Sequence, residues 1–336
     1  MSLQQRRRAL LKAALATPLA SPIANLLLPG RAGAAEPPYP SRPVRFVTQS
    51  GPGDAVDLRL RDFLKGLTSL MNNQPLIAEN HPGAGGVLAH QIVLNAPADG
   101  YTVMLANAAL PIVPSIYRKL SYNPMRDFTA VAMQGQSAIA LAIPASRPEK
   151  TFKDWLAWTR TQGTKLNYAS AGNGSVSHLY GFQLSEQFGI NATHIPYKGV
   201  APALLDMVGG SVHFMMLDTF SLRPMLVKGN LRLLAVALDE RSKWAPEVPT
   251  FKELGYTGYD RTGWTGYFVR TGTPVPVIDH LARAINTLNA SAEWAAKREA
   301  IWSQWTNVSP NDIAKRLAYE AESWGAVVKK TGFYAD

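Results

Sequence analysis

Leu166-Asn167-Tyr168-Ala169-Ser170-Ala171-Gly172-Asn173-Gly174-Ser175-Val176-Ser177-His178-Leu179 carries a strand, a glycine-rich turn and a helix start in fourteen residues. Leu166 to Ala169 has strand composition, and Gly172 and Gly174 open backbone conformations closed to residues with a Cβ. Ser175 stands where it can cap a helix running through Leu179, Phe182 and Leu184. Such a helix start presents unpaired N–H groups and the positive end of the helix dipole, so a carboxylate or phosphate suits the turn from Ser170 through Ala171, Gly172, Asn173 and Gly174 to Ser175. A capped turn that binds nothing is the competing reading, and the neighbouring loops have to decide between them.

Enzyme readings of the same turn fit poorly. Gly172, Gly174 and Ser177 spell G-x-G-x-x-S, without the third glycine that lets a dinucleotide-binding helix pack against its strand. Neither Ser170 nor Ser175 lies in G-x-S-x-G, the strained turn of a nucleophilic serine. Cysteine is absent, which removes disulfides, thiol nucleophiles and thiolate metal sites together. None of the six histidines forms H-E-x-x-H or another ligand spacing. The expectation is a protein with no catalytic residue, no metal and no cofactor. His178, one turn into the helix, either reaches a bound anion or is a satisfied neighbour of its own helix.

The other junctions repeat this architecture with different residues. Arg45 to Thr48 is a strand that runs through Gln49, Ser50, Gly51, Pro52, Gly53 and Asp54 into a helix carrying Leu60, Phe63 and Leu67. Asp54 with Asp57 three residues on is close to a capping box; for Asp57 simple capping is the preferred reading, and for Asp54 it competes with ligand contact. Further strands are expected at Leu76–Ala78, Tyr101–Leu105, Ala130–Met133, Ile139–Ile143, Thr193–Ile195, Val212–Leu217, Leu231–Val236 and Trp264–Val269. Their alternation with helices predicts an α/β fold with parallel sheets. Asn107 and Asp218 fall at strand ends, which face the cleft in open α/β sheets, and Trp264 beside Gly263 and Gly266 is placed in that cleft. Lys198 in Pro196-Tyr197-Lys198-Gly199 is a charge partner for a carboxylate or a solvated loop lysine.

With 336 residues, 46% hydrophobic and 17% charged, the chain is long enough for two cores and too apolar for disorder. Arg6, Arg7, Arg8 and Lys12 precede an apolar run that ends in Ala32, Gly33 and Ala34, the pattern of an export signal over residues 1–34. Arg7-Arg8-Ala9-Leu10-Leu11-Lys12 resembles a twin-arginine signal, with a plain Sec signal as the alternative. Removing it lowers the formal charge from +10 to +5, so little argument for a nucleic-acid partner survives. No later run reaches the ~18 apolar residues of a membrane span, and the expected location of the mature chain is the periplasm. Pro144 and Pro148 mark a change of domain, giving expected lobes of 35–143 plus 264–336 and of 144–263.

Four stretches carry a resemblance: Glu79-Asn80-His81-Pro82-Gly83-Ala84-Gly85-Gly86, Ala98-Asp99-Gly100-Tyr101-Thr102, Asn167 to Ser175, and Pro196 to Gly199. In this order, and within a match from Tyr39 to about Gly332, they resemble the Bug-type extracytoplasmic solute-binding proteins of tripartite tricarboxylate transporters. The resemblance implies a type II periplasmic-binding-protein fold with two α/β lobes and a ligand cleft between them. It implies a monomer that holds a small organic acid through amides, small polar side chains and waters, then passes it to membrane transporter subunits. On that basis Ser50 to Asp54 and Asn107 contribute from the first lobe, and Ser170 to Ser175 and Asp218 from the second. The family's first turn reads close to P-F-A-P-G-G-A-T-D, whereas this chain has Gln49 to Asp57 with a carboxylate at Asp54. Asp54, with Asp218, is therefore expected to select a ligand bearing a cationic or donor group beside its carboxylate. A sensor that docks on a signalling partner, or an exported α/β hydrolase, are the rival functions.

Overall fold

The computed structural model describes residues 38–335, and the expected export signal, 1–34, lies outside them. The strands are β1 (Val44–Thr48), β2 (Leu76–Asn80), β3 (Thr102–Asn107), β4 (Phe128–Ser137) and β5 (Ile139–Pro144), followed by β6 (Leu166–Ser170), β7 (Ala192–Pro196), β8 (Met215–Asp218), β9 (Leu231–Ala237) and β10 (Gly263–Arg270). One sheet has the order β2-β1-β3-β10-β4. The other strands form β8-β5-β9 and β6-β7, and the bridge between Tyr168 and Phe214 lays β6 beside β8. Read across that bridge the second set runs β7-β6-β8-β5-β9, the same arrangement as the first sheet.

The expectation of parallel sheets needs correction, because each sheet holds one antiparallel strand. β1 pairs parallel with β2 and β3, but β10 runs antiparallel to β3 and β4. In the second set β5 is antiparallel to β8 and β9, while β6 and β7 are parallel. The odd strand in each case is the one that has just crossed from the other sheet. A chain leaving one sheet at the carboxyl ends of its strands enters the next from that same edge, and so must run against its neighbours. β5 therefore belongs to the second sheet, and the sheets change at Ala138, between β4 and β5, where the sequence put the boundary at 143.

Helix formation follows the apolar spacing. In Ala55–Leu67, Leu60, Phe63, Leu64 and Leu67 recur at one-turn intervals and are buried against Phe46 and Tyr267 of the first sheet. Burying each such side chain stabilises the fold by roughly 2 kcal/mol as an upper figure. The second sheet is covered by Trp155, Tyr180, Phe214 and Phe251 in a separate apolar cluster. The last helix, Pro310–Thr331, serves both halves: Ile313 and Leu317 join the cluster of Trp264 and Phe268, and Trp324 and Val328 join that of Tyr180. No helix among the described residues is long and apolar enough to cross a membrane.

Candidate functional site

At the first turn the chain's own groups occupy most donors. Gly53, at φ +80°, donates its N–H to Asp57 Oδ2 at 2.8 Å. Asp57 is 2% exposed and also accepts from Asn80 Nδ2 at 2.8 Å and Arg61 Nε at 3.0 Å. Burial alone would raise its carboxyl, but Gly53, Asn80 and Arg61 together hold it below the usual range. Asp57 thus braces the turn from inside, its carboxylate oxygens taken up by Gly53, Asn80 and Arg61. Asp54 caps the helix, its Oδ1 accepting the Asp57 N–H at 2.9 Å. Asp54 remains solvent-exposed; partial loss of water around its carboxyl pushes it up, opposed by the N–H groups of Asp57, Gly51 and Val56. The anion seat of this helix start is filled by the protein's own carboxylate. Ser50 is buried with its carbonyl accepting from Asn80 Nδ2 at 3.0 Å, the Gly51 carbonyl accepts the Asp54 N–H, and Pro52 is exposed.

The second turn is similarly self-braced. Ser170 is fully buried, and its Oγ lies 2.7 Å from His194 Nε2 and accepts the Gly172 N–H at 3.1 Å. The Ala171 N–H donates to Ser177 Oγ at 2.9 Å, and the Gly174 N–H donates to His178 Nδ1 at 3.1 Å. Ser175 caps the helix Val176–Phe188 through the His178 N–H, and the first-turn amides of Val176 and Ser177 find no partner among the described residues. His178 and His194 stack with ring centroids 3.9 Å apart, and Phe333 closes on His178 edge-on. Burial lowers His178 to about 4; burial and the neighbouring His178 lower His194 to about 3. Both rings are neutral near pH 7, so His178 orients the turn as an acceptor and brings no positive charge to an anion. The spacing of Ser170 to His194 is that of a nucleophile and its base, yet Ser170 has no exposed surface and its hydroxyl also donates to the Gly172 carbonyl. Asn173 and Lys198 are exposed at the tip and in the next loop.

Asn107 and Asp218 end β3 and β8 as expected, and both are half-buried. Asp218 caps the helix Thr219–Val227 by accepting the Ser221 N–H at 2.8 Å. Burial raises its carboxyl, offset by Ser221 and by the Arg59 guanidinium. Arg59 was not expected here. Its Nη2 donates to the Gln134 carbonyl at 3.1 Å, its guanidinium lies 5.8 Å from the Phe220 ring, and its Nε is buried without a partner. Burial brings its pKa down to about 10. The sequence signal was weak, since Arg59, like Arg61 two residues on, reads as a solvated arginine of an amphipathic helix.

These strand ends meet across the two sheets. The first-turn helix reaches Phe220 through Arg59, the second turn touches Ile116 at Gly174, and Gly263 at the second crossing leaves room for Asp218, whose Cβ would be 2.9 Å from a Cβ there. Trp264 does not join them. It is 4% exposed and donates Nε1–H to Glu320 Oε2 at 2.9 Å, on the face of β10 that packs under the last helix. The alternation of β10 sends Thr265 toward Gln134 and Trp264 to the opposite face, which corrects its expected place in the cleft.

A family model described as "Tripartite tricarboxylate transporter family receptor" matches residues 61–333. Protein BugT of Bordetella pertussis is 29% identical over 298 residues, covering 88% of this chain and 90% of that one. An R. palustris protein solved with adipate is 28% identical, with a TM-score of 0.81 over 88% of this chain and 99% of that one. MatC from Rhodopseudomonas palustris, solved with bound malate, is 29% identical, with a TM-score of 0.76 over 86% and 100% of the two chains.

Proposed function

The chain belongs to the tripartite tricarboxylate transporter receptor family, and from that premise we propose that it captures a small organic carboxylate in the periplasm and delivers it to membrane transporter subunits. The observation that carries this reading is that the glycine-rich turn of the second sheet packs on the first half, Gly174 against Ile116, while Asp218 at the end of β8 lies beside Gly263 and feels the Arg59 guanidinium of the first helix. Relatives of the same fold were solved with malate and with adipate, both dicarboxylates. Two lobes, one built on β1–β4 with β10 and the other on β5–β9, close as a monomer about the crossings at Ala138 and before Gly263. Recognition needs no metal or cofactor: amides, Asn107 and the serine-rich second turn supply donors. Asp54 and Asp218 each spend one carboxylate oxygen on a helix cap; of the two, Asp218, near the crossing at Gly263 and balanced by Arg59, is the carboxylate that meets a donor or cationic group on the ligand.

The test is a thermal-shift screen against malate, succinate, adipate, glutamate and benzoate, with calorimetry on each hit. A ligand at a hundredfold excess over Kd stabilises by about 2.7 kcal/mol. Recovery of the acid unchanged supports a receptor; turnover of the acid refutes it. A ligand-dependent pull-down of a signalling protein in place of transporter subunits would favour the sensor reading.

A further inference from the structure

Asn107 ends a directional chain of hydrogen bonds that runs inward from the strand edge. Its Oδ1 accepts the backbone N–H of Ala109 at 2.9 Å and lies 2.9 Å from Gln49 Nε2. A backbone N–H can only donate, so the atom it meets is the amide oxygen, and the facing Gln49 atom must be nitrogen. That places Gln49 Oε1 toward His90 Nε2, 3.2 Å away. His90 Nε2 must therefore carry the proton, and Nδ1 is left to accept from the Tyr122 hydroxyl at 2.6 Å. His90 has no exposed surface, Tyr122 is 5% exposed, and both rings pack edge-on with Phe128. Burial drops His90 to about 3, so it is neutral and has one donor to give.

Gly86 makes room for this chain. At φ +103° a Cβ there would lie 2.3 Å from Gln49 Oε1 and 3.0 Å from His90 Nε2. Gln49 directly follows β1, so this hydrogen-bond chain spans from the first turn to the end of β3. Its outer end is Asn107 Nδ2, which makes no hydrogen bond to any described residue and sits at the carboxyl edge of β3.

We propose that Tyr122, His90 and Gln49 are positioning residues that hold the Asn107 amide in the orientation set by the Ala109 N–H, its donor outward, so that Nδ2 meets an acceptor oxygen of the bound carboxylate. The inference rests on the carboxylate-receptor reading and deepens it. A freely turning asparagine would serve a carboxylate, a hydroxyl or an ammonium alike; this one rejects a donor at that point. A cationic group on the ligand must then lie on the Asp218 side.

Two measurements on the full chain decide it. The first is the ¹⁵N imidazole spectrum: the histidine whose resonances move in Tyr122→Phe must be the Nε2-protonated tautomer, and an Nδ1-protonated ring overturns the proposal whatever the protein binds. The second compares the screen's best acid with its primary amide. Gln49→Met should weaken the acid about tenfold and shrink the preference for acid over amide. Tyr122→Phe should do the same to a smaller degree, and Asn107→Asp should weaken the acid roughly a hundredfold by setting like charges together. If Gln49→Met and Tyr122→Phe lower Tm but leave the acid-to-amide preference unchanged, the chain is only structural and the proposal fails. A protein with the expected tautomer that takes up none of the acids overturns the receptor reading, and the role of Asn107 falls with it.

Discussion

Gly174 and Ile116 are in contact across the two halves of the molecule: a Cβ at Gly174 would stand 2.4 Å from Ile116 Cδ1. The second glycine of the decisive turn is there for two reasons. Its φ of +72° disfavours any side chain, and the short helix Val113–Ile116 leaves no space for one. The turn is held against the first half by packing at the point where its helix begins.

Gly174→Ala should destabilise by about 2–3 kcal/mol, combining backbone strain with the clash. Ile116→Val removes Cδ1 and alone should cost about 1 kcal/mol. In the Gly174→Ala background it should cost less, because it relieves the clash, giving a coupling of ~1 kcal/mol in urea unfolding. Strict additivity would show that the two residues do not touch.

His90, His178 and His194 make the fold acid-sensitive. Their folded pKa values, about 3, about 4 and about 3, lie below the ordinary 6.5. The unfolded chain therefore takes up protons first as pH falls. The stabilisation is complete above pH 6.5 and declines below it, by on the order of 1 kcal/mol per pH unit for each histidine. Urea midpoints measured at pH 7.5, 6 and 5 should fall steeply, and His178→Gln should flatten the decline. A midpoint constant from pH 7.5 to 5 would contradict the buried neutral state.

Asp54 is a cap. Asp54→Ala should cost about 1 kcal/mol, and Asp54→Ser a few tenths, with the ligand preference among the screened acids unchanged. Altered selectivity in Asp54→Ser, at retained stability, would return Asp54 to the ligand site.

Glu320, 2% exposed, accepts from Trp264 Nε1 and pairs with Arg316 at 2.8 Å, and Arg316 also bonds Gln136 and Thr262 at the two crossings. Glu320→Ala should cost roughly 3 kcal/mol, because it removes the carboxylate that pairs with Arg316 and leaves the buried indole N–H without an acceptor. Trp264→Phe should cost about 1 kcal/mol through the lost hydrogen bond, beyond any packing change. Equal losses in both variants would mean that the Arg316 pair adds nothing.

All ten strands among the described residues lie where alternation of apolar runs and glycine-rich turns put them, with ends moved by a few residues. Local chemistry decides such elements: Ser175 and Asp54 cap the helices that follow them, as their residue types and positions predict. The family was equally legible, because long motifs survive in order. Strand direction was not. Whether β5 and β10 run with or against their neighbours depends on the edge from which the chain enters a sheet, and no local pattern records that.

The site divides along the same line. Sequence alone determined that strand-to-helix turns rich in glycine and serine would form, and that Asn107 and Asp218 would stand at strand ends. Only the tertiary structure decided which groups remain free there. Asp54 and His178 are taken up by amides of their own turns, but Asn80 reaches Asp57 from β2, Trp264 faces the last helix, and Gln49 with His90 joins the Asn107 amide, whose polarity the Ala109 N–H sets, from 58 and 17 positions away in the chain. A hydrogen-bond donor has one use at a time, and which use it finds depends on neighbours brought in by folding.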